Sequence, residues 1–195
     1  MKKLVGQADI RYAIPEDAAA IRAVQAETWM ATYPNEELGI TREGLRLHLE
    51  GASGAKMAER IARIKKRIES EIDDAAEVQD FVAVFNDDIV GYTTPFIEPS
   101  GRRRVGALYV LPSAQGLGIG HLLLEKNLAW HGEDQEIYLN VAAYNAQARR
   151  FYERHDFVLT GEEGHDAVAK IGGVVMPELE MMRGGKRRAP SSQDC

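Results

Sequence analysis

The sequence predicts an α/β (α+β) fold in which helices flank a central mixed, mostly antiparallel twisted sheet of about seven strands. Two patterns predict it. Residues 81–111 hold three consecutive β-rich segments joined by short polar turns, which is typical of an antiparallel meander. After residue 111, strand and helix patterns alternate, which is typical of a crossover unit. The two patterns together predict a crossover unit placed beside an antiparallel sheet.

The sequence of the amino-terminal region predicts one strand and two helical stretches. Residues 8–14 alternate loosely as a strand, and Pro15 with two following acids begins a helix that runs to about Met30. A helical region over residues 35–75 follows and is interrupted by the small residues 51–54. Its apolar stripe consists of Ile61, Ile64, Ile68 and Ile72.

The middle and end of the chain supply the rest of the sheet. Strands over residues 81–85 and 89–97 are joined by an Asn-Asp-Asp turn, and residues 105–111 form the next strand. The arginines at 102–104 open that strand, and we expect them to face solvent. The later elements are predicted as helix 118–131, strand 136–141, helix 146–155, strand 157–160 and a last strand 174–182 that continues despite Pro177.

Composition limits the classes of function. The 195 residues, 45% of them hydrophobic, predict a single domain over residues 1–183 followed by a disordered tail over 184–195. The formal net charge of -6 argues against a nucleic-acid partner. Since Cys195 is the only cysteine and no apolar run is long enough to span a membrane, we expect a cytoplasmic protein with no membrane contact. The five histidines show no paired-ligand spacing, so no metal site is predicted.

The strongest chemical signal is a glycine-rich hexapeptide, QGLGIG at residues 115–120. It follows a strand and opens an apolar helix. Alternating glycines let backbone N–H groups approach an anion closely, and a helix amino terminus adds unpaired donors and a positive dipole end. The hexapeptide therefore predicts a phosphate-binding loop.

Spacing separates this loop from two common nucleotide-binding loops. A P-loop requires a lysine after its last glycine, and none follows Gly120. A dinucleotide fingerprint requires G-x-G-x-x-G, but counting from Gly116 places His121 at the third glycine and counting from Gly118 places Leu123 there. Both readings fail.

The loop and its surroundings resemble the GNAT acetyltransferase superfamily. Its pattern [RQ]-x-x-G-x-[GA] matches Gln115, Gly118 and Gly120, and the preceding strand ends in Leu-Tyr-Val-Leu-Pro, as in the family. The likeness is detailed over residues 105–162 and architectural elsewhere. Further matches are Thr28, Trp29 and Tyr33 upstream, with Asn145, Ala148, the Phe-Tyr-Glu-Arg run at 151–154 and Phe157 downstream.

This resemblance implies an acetyl-CoA-dependent N-acetyltransferase that uses acetyl-CoA as cosubstrate and no metal. The acceptor would be a primary amine of a small molecule or peptide, which attacks the thioester directly in a ternary complex. Homodimers are common in the family, so a homodimer is one expected assembly. The residues implied to bind the cofactor are Leu108, Tyr109, Val110, Gln115, Gly116, Leu117, Gly118, Ile119, Gly120, His121 and Asn145.

Catalytic roles also follow from the resemblance. Tyr152 occupies the family position of the general acid that protonates the leaving thiolate. Asn140 stands where some members carry a catalytic Glu, and an amide cannot accept the amine proton. Glu27 and Tyr33, near the end of the first helix, are therefore the candidates for the base. His121 and Leu117 replace frequent basic residues, so phosphate affinity would depend mainly on backbone donors.

Two alternatives stay open at the level of sequence. A catalytically silent acyl-CoA-binding regulatory module would keep the glycine loop without needing Tyr152, whereas a nucleotide-binding protein would prefer ATP or NAD to CoA. Recognition of the acceptor is assigned to the helical region over residues 35–75, which carries no recognised motif. The acidic surface favours a cationic acceptor by long-range attraction.

Overall fold

A computed structural model describes residues 8–51, 55–71, 77–132, 134–163, 170–171 and 173–185. The predictions made for Ile72, His165, Cys195 and the tail after Gly185 lie outside these residues.

The described residues form nine strands: β1 (Asp9–Tyr12), β2 (Phe81–Phe85), β3 (Asp88–Ile97), β4 (Arg103–Val110), β5 (Ile137–Ala142), β6 (Val158–Glu163), β7 (Lys170–Ile171), β8 (Val174–Val175) and β9 (Glu178–Arg183). Seven of them form one sheet, in the order β1-β2-β3-β4-β5-β9-β6. The β4–β5 pair is parallel and every other neighbouring pair is antiparallel. The predicted mixed, mostly antiparallel sheet is confirmed. The other two strands, β7 and β8, form a separate pair.

A turn and a proline determine where two of the strands end. The β2–β3 turn places Asn86 and Asp87 at φ values of 52° and 67°, a left-handed conformation that Asn and Asp tolerate better than most residues. The prediction of one continuous strand over residues 174–182 is wrong. Met176 and Pro177 separate β8 from β9, because proline has no N–H to donate to a ladder.

Five helices surround the sheet in the described residues: α1 (Ala18–Thr32), α2 (Arg42–Glu50), α3 (Ala55–Glu71), α4 (Ile119–His131) and α5 (Ala146–Glu153). A 3-10 turn over Pro15–Asp17 precedes α1, so α1 begins three residues later than predicted. The Asp17 carboxylate accepts a hydrogen bond from the backbone N–H of Ile14 (2.8 Å) and pairs with Arg11, which fixes the entry of the chain into α1.

Different helices pack on the two faces of the sheet, as successive side chains along β2 show. Val82 packs with α1 and α3, whereas Ala83 packs with α4. A third cluster joins α4 and α5 to β5 and β9. Its buried members are Val105, Leu124, Ile137, Leu139, Val141, Tyr152, Phe157 and Met181.

His131 makes the stability of this fold dependent on pH. The side chain is buried at the end of α4, where its Nε2 lies 3.1 Å from the carbonyl of Arg104, and burial lowers the pKa of His131 to about 4. The unfolded state, with a pKa near 6.5, then binds more protons, so stability is complete above pH 6.5 and is lost as pH falls towards 4. We expect this group alone to remove about 2 kcal/mol between pH 7 and pH 5.

Denaturant unfolding at both pH values measures this loss. The variant His131→Gln keeps a donor for the Arg104 carbonyl and removes the titrating group. Its stability difference between pH 7 and pH 5 should be smaller than that of the wild type by about 2 kcal/mol. Equal pH dependence in the two proteins would contradict the assignment.

Candidate active site

The candidate active site begins where β4 and β5 part. Their parallel pairing covers only Arg103 with Ile137 and Arg104 with Tyr138. A bulge next to this point leaves Gly106 without a partner on β3. A Cβ atom at Gly106 would lie 2.7 Å from the Phe96 ring, so a glycine is needed here. We did not single out Gly106 from the sequence, although a glycine inside a strand pattern is a signal for a bulge.

A cleft of about 980 Å³ lies between the two strands where they part. Its walls come from β4, β5, the end of α1, the glycine loop and α5. The proposed site residues that line it are Leu108, Tyr109, Val110, Gln115, Gly116, Gly118, Gly120, His121, Asn145 and Tyr152. The side chains of Leu117 and Ile119 do not line the cleft. Leu117 faces solvent and Ile119 is buried in the core beneath α4.

The glycine loop closes one end of the cleft. Gly116 and Gly118 have φ values of 79° and 81°, in the left-handed region that favours glycine. A Cβ atom at either position would meet nothing within 4 Å. Gln115 donates from Nε2 to the carbonyl of Val110 (3.1 Å), which ties the loop to β4. The start of α4, whose first amides have no partner within the helix, therefore lies at this end of the cleft.

Two histidines lie beside the glycine loop. His121 Nδ1 is 2.9 Å from His155 Nε2, and His155 Nδ1 is 2.9 Å from the carbonyl oxygen of Phe151. Since a carbonyl only accepts, His155 donates to it from Nδ1 and its Nε2 can accept from His121. Glu125 lies 3.2 Å from the other nitrogen of His121. Both histidines line the cleft, so a polar pair lies beside the loop at which the sequence predicted mainly backbone donors.

α5 fixes the positions of both Asn145 and Tyr152. The Asn145 side chain accepts from the N–H of Ala148 (3.0 Å) as the helix N-cap, and the residue also lines the cleft, so the capping role is compatible with a contact to the cofactor. The Tyr152 ring is packed edge-on against Phe151 and Phe157. Burial, with a smaller contribution from Tyr109, raises the pKa of Tyr152, and the hydroxyl therefore stays protonated at neutral pH.

The two candidates for the base lie in different surroundings. Glu27 is exposed on α1 and lines neither this cleft nor the cavity beside it. Tyr33 does line the cleft, and burial raises its pKa well above the usual value, so it does not ionise readily. Asn140 is engaged as an acceptor, because its Oδ1 receives a hydrogen bond from Arg104 (2.6 Å).

The expectation that Arg104 faces solvent is wrong. It is 4% exposed and belongs to an ionic cluster at the point where β4 and β5 part. Its guanidinium lies 3.2 Å from Glu98 and 3.4 Å from Glu180, and Arg102 binds both oxygens of Glu180 at 3.0 Å. Glu180 is 1% exposed, so the cluster is buried at its centre.

A second, smaller cavity of about 210 Å³ adjoins the cleft. The two share part of their walls, including Gly106, Tyr109, Asn140 and Ala142. The smaller cavity is also lined by Trp29, Met176 and Glu178. Trp29 stacks on His48 of α2 at 5.8 Å, so α2 supports this wall.

The fold and the cleft define the class of protein as an acetyltransferase, and a family comparison agrees. Residues 48–157 match the model described as Acetyltransferase (GNAT) family. The match includes the glycine loop and Tyr152 and spans more than half of the chain. The chain therefore belongs to the GNAT acetyltransferase family, as its motifs had indicated.

Solved structures show the same fold. The PaiA N-acetyltransferase of Thermoplasma acidophilum in complex with coenzyme A is 19% identical, with a TM-score of 0.62 over 91% of this chain and 99% of that one. A GNAT-family acetyltransferase of Streptococcus pneumoniae is also 19% identical, with a TM-score of 0.63 over 92% and 100%. No curated protein matches the chain significantly by sequence.

The described residues lack two features that other classes of protein carry. They contain no helix that is long and apolar enough to cross a membrane. The same residues contain no group of three or more His, Cys, Asp or Glu side chains that could hold a metal ion.

Proposed function

We propose that this protein is an N-acetyltransferase that transfers the acetyl group of acetyl-CoA to a primary amine of a small molecule or peptide. The observation that carries the proposal is the meeting of three features in one cleft: the parted strands β4 and β5, the glycine loop and the Tyr152 side chain. A cytoplasmic location, a single domain over residues 1–183 and a homodimer belong to the same proposal and rest on the sequence.

The chemistry of the cleft fits the arm of acetyl-CoA. Beyond Arg104, the edge of β4 no longer pairs with β5, so its backbone groups can bond the amides of a pantetheine chain. The Thr28 hydroxyl, in the cleft wall, is buried and has no hydrogen-bond partner in the described structure. A cleft of about 980 Å³ lies at the upper end of ligand-pocket sizes.

The glycine loop fits the phosphates. The amides of Ile119, Gly120 and His121 precede the first helical hydrogen bond of α4, in which Leu122 donates to Gly118 (3.2 Å). The space above Gly116 and Gly118 would let a pyrophosphate approach the backbone closely. His121 would stand at the edge of this anion site.

The reaction needs no covalent enzyme intermediate. The neutral amine attacks the thioester carbonyl, a backbone N–H near Val110 stabilises the oxyanion, and the C–S bond then breaks. Tyr152 donates a hydrogen bond to the sulfur as negative charge develops there. The acceptor ammonium loses two protons overall, of which one ends on the CoA thiol and one is released to solvent.

Thiol release from acetyl-CoA, measured over a panel of primary amines, tests this function. We expect amine-dependent release of CoA, and protection against heat by CoA that exceeds protection by ATP or NAD. Tight acetyl-CoA binding without turnover on any amine would instead support the silent binding module. Stronger protection by ATP or NAD would overturn the choice of cofactor.

A further inference from the structure

A pair of imidazole rings lies at the end of the cleft that the glycine loop closes. His121 is in the first turn of α4 and His155 comes two residues after α5, and both line the cleft. The centres of the two rings are 5.2 Å apart, and the His155 ring also contacts the Phe151 ring at 4.7 Å. The acetyl-transfer steps proposed above use neither histidine.

Three contacts of the pair indicate how many protons it carries. His155 Nδ1 donates to the carbonyl oxygen of Phe151 (2.9 Å), His121 Nδ1 lies 2.9 Å from His155 Nε2, and His121 Nε2 lies 3.2 Å from a Glu125 oxygen. A carbonyl and an ionised carboxylate only accept hydrogen bonds, so each outer nitrogen has to carry an N–H. A third N–H is needed between the two rings.

Two neutral imidazoles supply only two N–H groups. With two, either the contact between the rings or the contact with Glu125 would place two lone pairs against each other. One additional proton satisfies all three contacts whichever ring holds it, because His155 Nε2 can accept from His121 or donate to it. The contacts therefore favour a pair that shares one positive charge.

The charged groups around the pair come from both helices that hold it. On α4, Glu125 contacts the pair. On α5, Glu153 is paired with Arg149 (3.8 Å), and after this helix come Arg154, which lines the cleft, and the exposed Asp156. The glycine loop contains no charged side chain. Among the described residues that line the cleft there is no Asp or Glu, so this end of the cleft attracts anions.

A phosphate group suits this end of the cleft. The first amides of α4 have no partner within the helix, and a Cβ atom at Gly116 or Gly118 would meet nothing within 4 Å, so an anion has room to approach. A charge-assisted hydrogen bond from a protonated imidazole to a phosphate oxygen is stronger than one between neutral groups. The side chains of His121 and Glu125 are each more than half exposed, so their contact is weak and a phosphate can replace the carboxylate.

We propose that His121 and His155 share one proton and that their charge, together with that of Arg154, binds a phosphate group of acetyl-CoA, which makes cofactor binding dependent on pH. This inference rests on the proposed function. The His121 N–H turns from Glu125 to a phosphate oxygen, and no covalent bond changes. Imidazole side chains ordinarily lose their proton between pH 5 and pH 8, so the affinity for the cofactor decreases as pH rises.

Calorimetric titration of acetyl-CoA at pH 6.5 and pH 8.5 tests the proposal. We expect the Kd of the wild type to be about fivefold higher at pH 8.5. His121→Gln removes the charge, so its Kd should be weak at both pH values. His155→Phe keeps a ring and removes both nitrogens, and it should raise the Kd about threefold at pH 6.5 and leave it unchanged at pH 8.5.

The variant His121→Lys gives a readout that a purely structural role would not move. Lysine stays protonated at both pH values, so binding should be tight at both. Any pH dependence that this variant retains measures the ionisation of the ligand's own phosphates. The matched control is Lys66→Gln, which removes one positive charge at an exposed position on α3 outside the cleft and should follow the wild type.

A second ligand identifies which phosphate the pair binds. Acetyl-dephospho-CoA has the pyrophosphate of acetyl-CoA and lacks its 3′-phosphate. If the Kd of this ligand retains the pH dependence that His121→Gln removes, the pair binds the pyrophosphate. If that dependence disappears with the 3′-phosphate, the pair binds the 3′-phosphate. Either result supports a phosphate site at the pair.

Failure of this inference differs from failure of the proposed function. If the wild type acetylates amines and His121→Gln has the wild-type Kd at both pH values, the role of the pair is overturned and the proposed function stands. A His121→Lys protein with the full pH dependence of the wild type would also overturn it. If acetyl-CoA binds the wild type at neither pH, both proposals are overturned.

Discussion

Replacement of Tyr152 by phenylalanine is expected to lower kcat about 100-fold or more, which is the usual effect of removing a positioned proton donor. The change deletes one hydroxyl from a buried ring that lines the cleft and leaves the contacts with Phe151 and Phe157 in place. Without the hydroxyl, the developing thiolate would lose its hydrogen-bond donor. Steady-state thiol release with acetyl-CoA and a saturating amine measures the effect.

The raised pKa of Tyr152 sharpens this expectation. Because burial keeps the hydroxyl protonated, no loss of activity from its ionisation is expected at neutral or mildly alkaline pH. The Kd for CoA should change little, since the ring and its packing survive. Tyr12→Phe, at an exposed position on β1, is the matched control and should retain wild-type kcat. A Tyr152→Phe enzyme with full kcat would show that the proton donor lies elsewhere.

Local patterns in the sequence were sufficient to predict the turns, because the conformation of a turn depends on neighbouring residues. The alternating glycines at 116, 118 and 120 specify a tight turn at a helix start, and that turn forms one end of the cleft. The Asn-Asp turn between β2 and β3 follows from the same kind of rule. The meander at the centre of the sheet was predictable because its strands are rich in β-branched and aromatic residues and are joined by short, recognisable turns.

The missed features depend on residues that are distant in the chain. Arg104 begins a strand beside two other arginines, which favours exposure, yet Asn140 and Glu180 meet it from two other strands. Likewise, Glu178 reaches the wall of the smaller cavity because β9 pairs with β5, which its neighbours in sequence do not predict. The place of Glu27 near the helix end made it a candidate base, but the residue is exposed on α1 and lines neither the cleft nor the smaller cavity.

The ionic cluster around Arg104 should carry the largest effect on stability. Glu180→Ala would remove the carboxylate that Arg102 and Arg104 share, whereas Glu98 and Asn140 would still contact the 4% exposed guanidinium of Arg104. Breaking a buried ion pair by removing one member typically costs about 3 kcal/mol or more, because the remaining charge stays desolvated. We expect a decrease of about 3 kcal/mol in the free energy of unfolding, measured by denaturant titration.

A comparison with an exposed pair tests whether burial is the cause. Glu43 and Arg46 form a close ion pair on the surface of α2, and Glu43→Ala should leave the unfolding midpoint unchanged. A double-mutant cycle of Arg104→Met with Glu180→Leu should give a coupling energy of at least about 1 kcal/mol. Additive effects in that cycle would contradict the shared cluster.

The same cluster connects stability with function, because it lies where the last β4–β5 pairs end. Arg104 pairs with Tyr138 at that point, and the cleft opens from the next residue, Val105. Loss of the Glu180 carboxylate would loosen the point that fixes the separation of the two strands. We therefore expect Glu180→Ala to weaken CoA binding at temperatures where the variant is still folded, whereas Tyr152→Phe would lower turnover and leave CoA binding intact. Calorimetric titration of CoA into both variants separates a defect in the strand framework from a defect in the chemistry.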